Sequence, residues 1–171
     1  MRKVLCGIII SSTIALSFAG CKKNIIENQP NTNLTFESDV KIQSNNEVYD
    51  CEITHNDQET CIVKFKNPET LKNFNITCEN GNYSVSMKEL KGEFSLEPLC
   101  EKSGLATMIK LFDAMKNTEN LTFVSNQEGE RIYRGKLDST DFEITLDKNG
   151  NILHINLPHE NFRADFKYSD G

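Results

Sequence analysis

From residue 34 onward, apolar and polar side chains alternate. Leu34, Phe36, Ser38, Val40 and Ile42 interleave with Thr35, Glu37, Asp39, Lys41 and Gln43. That period of two predicts a strand with one wet and one buried face. Residues 47–54 and 60–66 read as a hairpin turning at His55-Asn56-Asp57, with Tyr49, Cys51 and Ile53 on one face and Cys61, Val63 and Phe65 facing with them. Asn67-Pro68 breaks the run. Residues 73–79 and 82–88 form a second hairpin across Asn80-Gly81, a pair suited to positive φ. Further strands are predicted at 121–126, 130–136, 140–147, 151–157 and 162–168. Asp147-Lys148-Asn149-Gly150 is the turn between two of them, and Phe142, Ile144 and Leu146 share a face. One segment has helical spacing. Ser103 can cap it, Leu105, Met108, Ile109, Phe112 and Met115 form its stripe, and it ends near Asn117. A lone amphipathic helix must bury its stripe on a sheet. The prediction is an α+β domain, an antiparallel meander of about nine or ten strands curled around one main helix.

The first residues follow another pattern. Arg2 and Lys3 precede the apolar run Val4 to Phe18, followed by small Ala19 and Gly20. Residues 1–20 therefore read as a secretory signal, too short for a comfortable span of about 20 apolar residues. Phe18-Ala19-Gly20-Cys21 resembles the bacterial lipobox. That resemblance implies a thioether-linked diacylglycerol on Cys21, an anchor in the cell membrane and a domain on its extracytoplasmic face. Two acyl chains hold a protein firmly where one holds it marginally. Residues 21–33 are polar and aperiodic, contain Pro30, and read as a flexible tether. The domain is then 34–171. The formal charge of −6 becomes −8 once Arg2 and Lys3 are removed. An acidic body argues against nucleic acid and against a peripheral grip on anionic lipid.

Several features carry a family resemblance: Phe65 to Leu71 as strand-Pro-Glu-x-Leu, Gly81 before Tyr83-Ser84-Val85, Leu90 after it, and the closing Asn161-Phe162-Arg163. In their order along 34–168 they resemble the bacterial lipoprotein carriers of the LolA/LolB-like and LppX-like half-barrel superfamily. The resemblance implies an incompletely closed antiparallel barrel with a helix plugging its open side. Such relatives hold acyl chains between sheet and helix, or use the scaffold as a sensor. The cavity candidates here are Phe36, Val40, Ile42, Ile53, Val63, Phe65, Phe94, Leu105, Met108, Ile109 and Phe112. Periodicity alone does not distinguish a slot for a lipid tail from a close-packed core.

The remaining chemistry is sparse. Cys51, Cys61, Cys78 and Cys100 allow three disulfide connectivities, and an exported chain favours disulfides. A turn at 55–57 would set Cys51 opposite Cys61, leaving Cys78 for Cys100. Buried free thiols are the alternative. No CxxC spacing suggests zinc, and no metal or cofactor is expected. His55 reads as a solvated turn residue, His154 as an exposed strand residue and His159 as a loop residue. No hydrolase, metalloprotease, P-loop or dinucleotide motif occurs, so no enzyme is expected. Two functions fit. One is a membrane-anchored envelope lipoprotein that binds an apolar ligand between sheet and helix. The other is a non-enzymatic sensor or accessory protein with a filled core and an envelope protein partner.

Overall fold

A computed structural model describes residues 30–169, apart from 57, 59, 88–89, 94–102 and 118–120. Six strands come first: β1 (Phe36–Ser44), β2 (Glu47–His55), β3 (Thr60–Asn67), β4 (Phe74–Glu79), β5 (Asn82–Met87) and β6 (Leu90–Glu93). The helix α1 (Gly104–Ala114) follows. Five strands complete the chain: β7 (Leu121–Gln127), β8 (Glu130–Leu137), β9 (Thr140–Leu146), β10 (Ile152–Leu157) and β11 (Phe162–Lys167). Strand β6 is absent from the sequence expectation. At four residues, with Gly92 inside it, it carries too little alternation to register.

All eleven strands form one antiparallel sheet in the order β6-β5-β4-β3-β2-β1-β11-β10-β9-β8-β7. The sheet consists of two meanders joined where the first strand pairs with the last, Val40 opposite Phe166 and Ile42 opposite Ala164. The outermost strands β6 and β7 do not pair with each other. The sheet is thus a curled, open half-barrel with one helix against its concave side.

Local chemistry sets the hairpins. Asn80 (φ 50°) and Gly81 (φ 76°) turn β4 into β5, and Glu128 (φ 54°) and Gly129 (φ 90°) turn β7 into β8. Both are two-residue connections with positive φ at each position, which match the strand twist. Asn45 (φ 51°) and Asn46 (φ 70°) do the same between β1 and β2.

The β2–β3 turn differs from its sequence expectation. The register pairs His55 with Cys61 and Cys51 with Phe65. The turn centre therefore falls about two residues later than His55-Asn56-Asp57, because β2 runs on through His55. Cys51 and Cys61 share the concave face but do not oppose each other.

Residues 30–33, read from the sequence as the end of the tether, lie against the 147–151 turn. Pro30 is buried. The Asn33 amide donates to the Gly150 carbonyl at 2.8 Å, and Asn33 Nδ2 donates to Asn151 Oδ1 at 3.1 Å.

Candidate functional site: the concave face and its helix

Register and alternation place apolar side chains in cross-strand rows on the concave face. One row runs Tyr133, Ile144, Ile155, Ala164, Ile42 and Tyr49 across β8, β9, β10, β11, β1 and β2. A second runs Phe166, Val40, Cys51 and Phe65, and a third Ser38, Ile53, Val63, Ile76 and Val85. Cross-strand neighbours of this kind are the unit of sheet stability. Together with the helix they make one hydrophobic cluster.

Helix α1 begins at Ser103, whose Oγ accepts from the Ala106 amide at 3.2 Å. That hydroxyl satisfies one of the orphan N–H groups of the first turn. Gly104, Met108, Leu111, Phe112 and Met115 are buried, while Lys110, Asp113 and Lys116 are exposed. Phe112 is the anchor, with ring centroids 5.5 Å from Phe36, 5.0 Å from His55 and 6.4 Å from Phe166. Thr107 Oγ1 donates to Glu160 Oε1 at 3.2 Å, and Thr140 Oγ1 donates to the same oxygen at 3.2 Å. Among the described residues the helix is thus held by an apolar face and by the Thr107 hydrogen bond to the 158–160 turn.

Nine of the cavity candidates, Phe36, Val40, Ile42, Ile53, Val63, Phe65, Met108, Ile109 and Phe112, are buried together in this cluster. Leu105 is half-buried against it. Phe94, Cys100 and Cys21 lie outside the described residues. These side chains pack on one another, with Met108, Leu111 and Phe112 at 0% exposure.

Several residues were misplaced or passed over at the sequence level. His55 is not turn decoration. It is 3% exposed, stacks on Phe36, and its Nδ1 bonds the Leu34 carbonyl. Its parity with Tyr49, Cys51 and Ile53 was the available signal. His154 is half-buried on the convex face, with Nδ1 2.6 Å from Asp165 Oδ1, and Arg163 donates to that same oxygen at 2.8 Å. His159 stays exposed, 3.3 Å from Asp141. Ser38 is buried among hydrophobics and donates to the Lys167 carbonyl at 2.9 Å. Tyr133 is 1% exposed, and its hydroxyl has no hydrogen-bond partner among the described residues. Such a group costs about 1–3 kcal/mol while unpaired.

Cys51, Cys61 and Cys78 are free buried thiols. Burial pushes Cys51 and Cys61 up to about 12, so neither is a nucleophile in the closed sheet. Among the described residues no group of His, Cys, Asp and Glu is arranged to hold a metal, and no helix is long and apolar enough to cross a membrane.

The convex face is built differently. A groove of about 680 Å³ there is lined by Glu52, Lys64, Phe65, Lys66, Lys72, Asn73 and Asn75. Lys64 and Lys66 lie 2.7 and 3.2 Å from Glu52. Their hydrogen bonds, Lys64 first, hold the Glu52 carboxyl below its usual range. These charges are already paired, which leaves little free cationic character for an anion.

Comparison with known proteins gives the fold a neighbour. No family model matches the chain, and no curated protein matches it. Among solved structures it is similar to a LolA superfamily protein from Nitrosomonas europaea, at 11% identity over 81% of this chain and 90% of that one, with a TM-score of 0.34.

Proposed function

We propose that this chain is a membrane-anchored bacterial envelope lipoprotein that binds an apolar ligand, an acyl chain or envelope lipid, between its sheet and its helix. One observation carries the reading. A continuous apolar concave face spans most of the sheet, and what lies on it is an eleven-residue helix seated by its own apolar face. Binding moves the helix and exchanges one apolar partner for another. An acyl chain of roughly ten methylenes gains about 8 kcal/mol in gross burial. That gain covers the displacement of one large anchor such as Phe112, at about 3–5 kcal/mol, and the rest of the helix stripe keeps its burial by packing on the ligand. The Tyr133 hydroxyl, buried on the same face, is a ready donor for a ligand oxygen. The role is binding, not catalysis. The signal-like start and Cys21 support the anchor.

The test is extraction of the purified full chain with organic solvent, followed by mass spectrometry. Covalent lipid on Cys21 remains with the protein, so a released acyl lipid near one per chain reports the interior. No released lipid, together with no uptake of a fluorescent fatty acid, overturns the binding reading. Anchoring is tested separately. Cys21→Ser should move the chain from the membrane to the soluble fraction and remove the diacylglycerol mass, and unchanged partitioning overturns the anchor.

A second reading draws on the packing of Met108, Leu111 and Phe112 at zero exposure. A filled interior suits an envelope interaction protein, which would yield a specific crosslinked partner and no lipid.

A further inference from the structure

The row nearest the β2–β3 and β4–β5 turns holds an arrangement that the folded sheet, not the sequence, brings together. Across β1 to β5 it reads Phe36, His55, Cys61, Cys78 and Tyr83. Cys61 and Cys78 are direct cross-strand partners on the same concave face, 2% and 5% exposed. The hydrogen-bond phase of the ladder fixes their spacing. The Asn56 amide donates to the Thr60 carbonyl at 3.1 Å, so the polar backbone groups of Thr60 face β2. Those of the next residue, Cys61, therefore face β4. Cys61 and Cys78 form a hydrogen-bonded pair, for which the Cα separation is about 5.5 Å. Disulfides occupy Cα separations of about 4.4–6.8 Å, while their Cβ separation of about 3.5–4.5 Å is shorter than the roughly 4.5–5.5 Å of cross-strand neighbours, so closing the bond draws β3 and β4 together by about 1 Å. Cys51 is two rows away, opposite Phe65 and Val40, and has no such partner.

We infer that Cys61 and Cys78, both free thiols in this structure, are the pair that oxidises to a disulfide, closing β3 onto β4, and that Cys51 remains a thiol. The chemistry is exchange with a disulfide co-reactant of the oxidised-glutathione class. The two thiols lose their protons and form one S–S bond, and the co-reactant's S–S bond breaks to give two thiols. Burial holds the Cys61 thiol far from ionisation in the closed sheet. Exchange therefore takes place while the strands are still assembling, when thiolate is accessible. The inference concerns covalent structure and does not depend on ligand binding or on the anchor.

The test is peptide mapping of the full chain after refolding in a mixture of oxidised and reduced glutathione. Alkylation is followed by trypsin and a glutamate-specific protease. Cleavage after Glu52 and Glu59 separates Cys51 from Cys61. The expected product joins residues 60–64 to residues 73–79, with Cys51 alkylated. Cys51→Ala should keep that link, and reduction of the wild type should lower its thermal midpoint by about 10 °C. A link from Cys61 or Cys78 to Cys51 or Cys100, or alkylation of both Cys61 and Cys78, overturns the inference, and peptide mapping of the wild type alone decides it whether or not a variant folds.

Discussion

Gly104 brings the helix close against β11. A Cβ built there would lie 2.4 Å from Phe162 Cδ2 and 2.5 Å from its Cβ. The Phe162 Cβ is fixed to β11 and cannot swing aside. Overpacking of this kind costs about 1–3 kcal/mol. The helix propensity gained by alanine is at most about 1 kcal/mol, and less at the first turn. Gly104→Ala should therefore lower stability by roughly 1–2 kcal/mol in urea denaturation. An unchanged midpoint would mean that the helix does not seat on Phe162. Asp147 makes a second residue-scale case. Its Oδ1 accepts from the Asn149 and Asn151 amides at 2.7 and 2.9 Å, and its Oδ2 from Asn151 Nδ2 at 2.9 Å. Burial pushes this carboxyl up, but the hydrogen bonds from Asn151, Asn149 and Gly150 outweigh it, and the net pKa lies below the usual value. A lowered folded pKa stabilises above the unfolded value, near 4, and that contribution is lost as pH falls through the folded value. Asp147→Ala should lower the thermal midpoint at pH 7, and the gap to wild type should narrow below about pH 4. The same turn receives residues 31–33, and a Cβ on Gly150 (φ 88°) would meet the Asn31 carbonyl oxygen at 1.9 Å.

At the scale of elements, the decisive contact is the helix on the concave face. Phe112→Ala removes the ring that touches Phe36, His55 and Phe166. The expected loss is about 3–5 kcal/mol, seen as a lower denaturation midpoint with little change in slope. A loss below 1 kcal/mol would indicate that the site collapses or that the helix is only loosely seated. Every strand but β6 was readable because it alternates over six to nine residues, and the helix because Leu105 to Met115 repeat at helical spacing. The β2–β3 turn was not. Asn56, Asp57, Gln58 and Glu59 are all turn-compatible, so polarity marks a region and not its centre. A shift of two residues in that centre preserves every inward face. It nevertheless changes each β2–β3 partner, which is why Cys51 faces Phe65 and Cys61 faces His55, while the separate register of β3 on β4 sets Cys61 opposite Cys78.

For the whole molecule, the closing pair is β1 with β11. It joins Asp39–Ser44 to the far end of the chain and fuses two meanders into one sheet. Deleting residues 158–171 strips β1 and β10 of a partner and removes Phe162, Ala164 and Phe166 from the core. Such a chain should show no cooperative unfolding by circular dichroism and should elute as an expanded species or an aggregate. A compact, cooperatively melting product would mean that the halves are stable separately.

The amino-acid sequence by itself determined which residues face inward, where most chain reversals fall, and that one helix must cover a sheet. These are local properties, because alternation, positive-φ turn residues and capping act within a few positions. Only the tertiary structure decided that the first and last strands pair, that His55 stacks on Phe36 and packs against Phe112, that the Tyr133 hydroxyl is buried, and that Cys61 faces Cys78. Each of those depends on register between segments. Register follows from the summed fit of many side chains across the sheet, so no single stretch of the chain carries it.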